Sequence, residues 1–221
     1  GKIEYSNTPV TEEQKAITKV LMNPPLPSSE EHSKEYEFVN AALDQMQTGG
    51  LLFTILPYPT LVKAGHHKAW RRDQLLTQNT LLCVITLPPD LFYPTAGVHT
   101  VGVYIRKGVP HPPTQRVLWI RAVHDGTRKS KSKRLDDPEA QNDYPVIEDV
   151  VRGFLINPKM PVPNVEQFQK ACVIDYNDPN FELVPEYYLD QSAPTEDEVQ
   201  AGVEQVIRNA VAFLVRKGLD D

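Results

Sequence analysis

The sequence predicts an α/β fold, a largely parallel sheet covered by helices, with a helical extension at the carboxyl end. Three observations predict it. Short continuous apolar runs at 17–22, 51–56 and 81–87 read as strands buried on both faces. Stretches with helical spacing of apolar residues lie between them, so strands and helices alternate. Each run is closed by proline, at Asn23-Pro24-Pro25, Pro57-Tyr58-Pro59 and Pro88-Pro89. Proline has no N–H for a sheet ladder and pushes the preceding residue out of the helical region, so each strand stops abruptly.

The elements follow in order. Residues 1–16 are a polar lead-in. The run 17–22 is the first strand. Ser28-Ser29-Glu30-Glu31 offers polar caps and first-turn acids for a helix to about Gln47, with Tyr36, Val39, Leu43 and Met46 on one face. Gly49-Gly50 is expected to stop that helix. Strand 51–56 follows, then a helix over 60–78 with Leu61, Ala64, Ala69, Trp70 and Leu75 packing, then strand 81–87. Runs at 100–106 and 116–121, joined by a Pro-rich turn, are expected to form an antiparallel hairpin. The core α/β domain is thus expected over 17–122. A basic polar loop and a short helix with Val146, Ile147, Val150, Val151 and Phe154 occupy 123–157. The rest, 158–221, is an extension with short extended segments at 168–176 and 181–189. It ends in an amphipathic helix at 196–217 whose apolar stripe must bury against something.

Bulk properties narrow the function. The 221 residues are 40% hydrophobic, enough for one core plus an appended piece. A net charge of −6 excludes a generally basic nucleic-acid binder, so any basic surface is local. Cys83 and Cys172 lie far apart in apolar runs, which excludes a disulfide framework or zinc ribbon and fits a reduced, cytoplasmic compartment. No run is long enough to span a membrane, the amino end lacks a signal peptide's apolar core, and no metal-ligand constellation stands out. His66-His67 is no metal pair, since neighbouring helical residues point apart.

The most informative stretch is Asn23-Pro24-Pro25-Leu26. A stiff loop at the carboxyl end of a strand lies where open α/β sheets bind ligands. It holds one amide side chain and backbone carbonyls in fixed directions, an arrangement suited to gripping an exocyclic amine; read alone, it is also simply a turn. The densest positive charge, Arg128, Lys129, Lys131, Lys133 and Arg134 with interleaved serines, reads either as a solvated loop or as contacts to nucleic-acid phosphates.

Taken together, several stretches resemble the carboxyl-terminal part of the modification subunit of type I restriction–modification systems, within the N6-adenine DNA methyltransferases. Asn23-Pro24-Pro25 matches that family's catalytic loop. Gly49-Gly50-Leu51 to Pro57 is similar to its following strand. His67 to Leu76, Val84 to Pro89 with Phe92, and Thr95 to Lys107 follow its later motifs in order, and Asp125-Gly126, Lys133-Arg134 and Asn142-Asp143 continue the likeness. The resemblance covers roughly 17–155. It implies a partial Rossmann-like methyltransferase sheet, S-adenosyl-L-methionine as methyl donor, DNA as substrate, and a specificity subunit or an amino-terminal methyltransferase half as partner.

Two departures stand out. The family's glycine-rich cofactor turn, upstream of the loop, is absent, and the fourth loop position, usually aromatic, is Leu26. On this resemblance Asn23 and the Pro24 carbonyl accept hydrogen bonds from an extruded adenine's N6 amine, Pro25 stiffens the loop, and Leu26 presses on the base. Phe92, Tyr93 and Thr95 wall the base pocket, or alternatively pack beneath their loop. Two other classes compete: a non-catalytic DNA- or subunit-binding module derived from such an enzyme, and an unrelated nucleotide-binding α/β protein, weakened by the lack of a phosphate loop.

Overall fold

The computed structural model describes residues 17–25, 34–89, 91–92, 97–130 and 133–189. The helix start at 28–31, the expected helix at 196–217, and the site positions Leu26, Tyr93, Thr95 and Lys131 lie outside the described residues.

Strands β1 (Ile17–Met22), β2 (Met46–Pro57), β3 (Thr80–Thr86), β4 (Thr100–Arg106), β5 (Arg116–Arg121) and β8 (Gln169–Val173) form one mixed sheet in the order β1-β2-β4-β3-β5-β8. A separate ribbon pairs β6 (Thr127–Ser130) with β7 (Lys133–Asp136). β1, β2, β3 and β5 run parallel, whereas β4 and β8 run against them. The expected hairpin between 100–106 and 116–121 does not form. β4 is antiparallel, but it inserts between β2 and β3, and β5 pairs in parallel with β3. The connection from 107 to 115 is long enough to cross β3, a span of about 10 Å.

β3 is buried along its whole length, as its uninterrupted apolar run predicts. β1 is not. Leu21 is 82% exposed, because among the described residues β1 has a neighbour only in β2 and no described helix covers its outer face. Gly49-Gly50 does not stop a helix either. Helix α1 (Glu35–Gln45) ends where Met46 turns extended, and the glycines lie inside β2. Gly49 has φ +85° and its N–H donates to the Lys107 carbonyl, while the Lys107 N–H donates to the Gly50 carbonyl. Two residues therefore oppose one, a bulge that needs a glycine at its first position.

Helices cover one face. α1 buries Val39 and Leu43, one turn apart, worth about 1.5–3 kcal/mol each. The helix expected over 60–78 is broken into α2 (Pro59–Val62), α3 (His66–Ala69), a π-helical turn (Trp70–Leu75) and α4 (Leu76–Gln78). Gly65, at φ +66°, makes the break. Glu35, buried in the first turn of α1, joins α1 to α2 and α3: it accepts from the Thr60 hydroxyl at 2.6 Å and meets His67 Nε2 at 3.0 Å. Burial raises the Glu35 pKa, but these bonds outweigh it and leave it lowered; burial lowers that of His67. Neutral His67 thus donates to ionised Glu35, a structural use of the histidine pair. On the opposite face, helix α5 (Tyr144–Ile156) lays Ile147, Val151 and Phe154 over Cys83, Leu118 and Ile120. An open trough of 410 Å³ remains between α5 and Phe53, Ile85 and Tyr104.

The segment after β8 closes the helix-covered face. Residues 181–189 form one helical turn, α6 (Pro185–Tyr188), where the sequence suggested an extended segment. Phe181, Leu183 and Val184 are buried in the core, and Tyr188 stacks on Trp119 at 3.9 Å between ring centroids. Arg71, with no exposed surface, ties this segment down. Its guanidinium donates to the carbonyls of Thr60 (2.9 Å), Lys63 (3.0 Å), Phe181 (3.0 Å) and Asn180 (3.2 Å).

Arg71 and a second buried polar group, His111 in the connection between β4 and β5, each give a prediction. Arg71→Met leaves four carbonyls without their donor and destabilises the fold by roughly 3 kcal/mol. A urea titration reads this as a lower midpoint at unchanged slope; an unchanged midpoint would show that water replaces the guanidinium. Burial also lowers the pKa of His111 from 6.5 to about 4. The unfolded chain then binds a proton that the native state refuses, so stability is full above pH 6.5 and falls as pH drops from 6.5 towards 4. The loss is on the order of 3 kcal/mol. His111→Phe should flatten the stability–pH curve in that window relative to wild type; parallel curves would rule the histidine out.

Candidate functional site

Parallel strands place their carboxyl ends on one edge of the sheet. That edge carries Asn23-Pro24-Pro25 after β1, Pro57-Tyr58-Pro59 after β2, Pro88-Pro89 after β3 and Val123-His124 after β5. Three of the four ends are locked by proline, so the edge is built of stiff turns.

β1 pairs with β2 up to Met22 opposite Thr54, and Asn23 is the next residue. Asn23 is exposed, Pro24 is buried and Pro25 is exposed. The buried ring anchors the loop while the amide side chain faces solvent at the strand end. Phe92, half-buried in the turn after β3, occupies the same edge. In sheet order β3 lies three strands from β1, about 14 Å away.

Where β2 ends and β4 begins, the same edge carries a braced aromatic pair. The Tyr58 and His99 rings stack at 4.8 Å with 2° between planes, and the Tyr58 N–H donates to the His99 carbonyl at 2.9 Å. The Tyr58 hydroxyl is hydrogen-bonded to Glu186, whose carboxylate also accepts from the Thr86 hydroxyl at 2.8 Å. Burial, then the charges of Glu186 and Glu182, hold the Tyr58 phenol far above its ordinary pKa, so it remains a neutral donor. No motif points to this trio; only the position of Tyr58 between two strand-ending prolines marks it in the sequence.

The basic segment is ordered into the β6–β7 ribbon just past β5. Its two arginines have carboxylate mates: Arg134 is ion-paired with Asp125 and donates to the Thr127 hydroxyl, and Arg128 pairs with Asp137 at 3.2 Å. Lys133 is exposed, and Lys129 lies in β6. At the ribbon's base, Asp143 accepts from the Val123 and His124 N–H groups, both at 2.8 Å, and from Gln141. Burial raises the Asp143 pKa, but these donors prevail and leave it lowered. His124 Nδ1 lies 3.5 Å from the same carboxylate. Pro88, Pro89, His124, Arg134 and Gln141 line a cavity of 240 Å³ between the ribbon and the sheet edge. Both arginines of the ribbon are thus matched to an acid. Among the described residues no cluster of three or more His, Cys, Asp or Glu could hold a metal ion, and no helix is long and apolar enough to cross a membrane.

None of the described strand-to-helix turns is glycine-rich, and among the described residues β1 pairs on one side only, with β2.

Comparison with known proteins agrees with this architecture. The N-6 DNA Methylase family model matches residues 4–197. A type II restriction enzyme and methyltransferase, RM.BcgI of Heyndrickxia coagulans, is 35% identical over 136 residues, covering 54% of this chain and 21% of that protein. The type I restriction enzyme EcoKI M protein superposes with a TM-score of 0.60 at 16% identity, over 92% of this chain and 50% of that one. The type I methyltransferase subunit from Streptococcus thermophilus gives 0.57 at 17% identity, over 80% of this chain and 39% of that one. The chain thus spans about a fifth of its curated relative and half or less of these structural neighbours. With a family model covering nearly its whole length and a sheet of the same fold, the chain belongs to the N-6 DNA methylase family.

Proposed function

We propose that this chain is the later half of an adenine-N6 DNA methyltransferase domain, acting as part of the modification component of a restriction–modification system. The observation that carries the reading is Asn23-Pro24-Pro25 at the carboxyl end of β1, with the amide exposed and the central proline buried. Asn23 Oδ1 accepts one hydrogen bond from the N6 amine of an extruded adenine, and the Pro24 carbonyl accepts the other. Two acceptors fix the direction of the nitrogen and favour positive charge developing on it, a catalytic effect of positioning and electrostatics. The methyl donor, S-adenosyl-L-methionine, supplies an electrophilic methyl group.

The donor's binding half comes from outside the described residues, either upstream in a longer chain or from a partner. Two features of the described residues support this: β1 has β2 as its one neighbour and exposes Leu21, and an open trough lies over Phe53 and Tyr104. DNA is the substrate, sequence choice falls to a separate specificity subunit, and the compartment is cytoplasmic. A non-catalytic module keeps one point in its favour, Leu26 in place of an aromatic residue.

Asn23→Ala should reduce methyl transfer to DNA by the assembled enzyme at least a hundredfold at unchanged melting temperature, since the side chain is exposed and supports no packing. Incorporation of labelled methyl groups into unmethylated plasmid DNA measures it, and wild-type activity in the variant would remove Asn23 from the mechanism.

A further inference from the structure

We propose that the outward face of the β6–β7 ribbon grips the phosphates of DNA flanking the target base, with Arg128 and Lys133 as the contacting cations and Arg134 as the brace beneath them; the choice of DNA rests on the methyltransferase reading above. Residues 127–136 hold five Lys or Arg and one acid, on a chain whose net charge is −6. So strong a local reversal of sign suits a polyanion.

The fold divides these cations. Side chains alternate between the two faces of a ribbon, and residues paired across it share a face. Thr127 and Arg134 point inward. Both line the cavity against Pro88 and Pro89, Arg134 donates to the Thr127 hydroxyl at 2.8 Å, and it is ion-paired with Asp125. Arg128, opposite Leu135, and Lys133, opposite Ser130, belong to the other face. The Arg128 side chain is 60% exposed, and Lys133 is exposed. In this register the two are diagonal neighbours, about 7–8 Å apart, a reach that spans successive phosphates of one strand. The Arg128 pair with Asp137 at 3.2 Å lies at the surface, so it contributes little and exchanges readily for a phosphate.

The ribbon is anchored from below. Asp125 accepts from the Thr127 N–H at 3.1 Å and its hydroxyl at 2.7 Å, the Asp137 N–H donates to the Gly126 carbonyl at 3.0 Å, and Asp143 fixes the lead-in at Val123 and His124. A charged loop that only keeps a chain in solution needs no such anchoring. The ribbon follows β5, four strands from β1 in sheet order and about 19 Å from it along the carboxyl edge. A duplex running along that edge, with a base held at Asn23, meets the ribbon about five or six phosphates away on one strand.

The test is the salt dependence of DNA binding by the assembled protein, read by fluorescence anisotropy with a labelled double-stranded oligonucleotide from about 50 to 200 mM KCl. Each phosphate contact contributes about 0.9 to the slope of log K against log salt, so joint Arg128→Gln and Lys133→Gln should flatten that slope by about 1.8. Joint Arg128→Lys and Lys133→Arg keeps both charges and should keep the wild-type slope. Lys159→Gln removes an exposed cation at the opposite edge, next to Met160, whose carbonyl accepts from Arg116 at the start of β5; it should leave the slope unchanged. A wild-type slope in the double glutamine variant overturns the contact and leaves the ribbon to an acidic protein surface. An equal loss in Lys159→Gln overturns it too, since net charge alone would then account for the effect. Binding is read without methyl transfer, so the two readings fail separately. An active Asn23→Ala removes the catalytic loop and leaves the ribbon contact standing, whereas an unchanged slope removes the ribbon and leaves the loop.

Discussion

The carboxyl edge depends on one buried cation. Arg71 has no exposed surface and donates to four backbone carbonyls from two separate stretches, Thr60 and Lys63 on one side and Asn180 and Phe181 on the other. Burial lowers its pKa to about 10, partly offset by the charges of Glu182 and Asp178, so it stays cationic at neutral pH. Desolvating a guanidinium is costly, and it is tolerated because its planar fork meets converging acceptors. The break at Gly65 lets the Thr60 and Lys63 carbonyls turn inward; a continuous helix would have used them internally. Once residues 180–181 are pinned, the following turn brings Glu186 to Thr86 and Tyr58. The site edge is thus braced from a stretch more than a hundred residues away in sequence.

Much of the scaffold was legible because its signals are local. β3 is an unbroken apolar run, proline ends three of the parallel strands, and α5 carries its apolar residues at helical spacing. What was not legible depends on strand order. Nothing in residues 100–121 distinguishes a hairpin from two strands separated by a third, since both need apolar runs and a polar connection. Gly49-Gly50 is ambiguous for a related reason: a glycine with positive φ ends a helix or makes a bulge, and the choice rests on Lys107, far along the chain. β1 looks buried in sequence because its residues are apolar, but burial also needs neighbours, and the described residues supply one.

The loop Asn23-Pro24-Pro25 was readable as chemistry because proline fixes geometry by itself. The basic segment was readable only as charge. A count of cations does not reveal that Arg134 answers Asp125 and Arg128 answers Asp137; the ribbon's pairing creates those matches. Tyr58, His99 and Glu186 carry no spacing signature, since they come from two loops and the helical turn α6, which only the fold brings together.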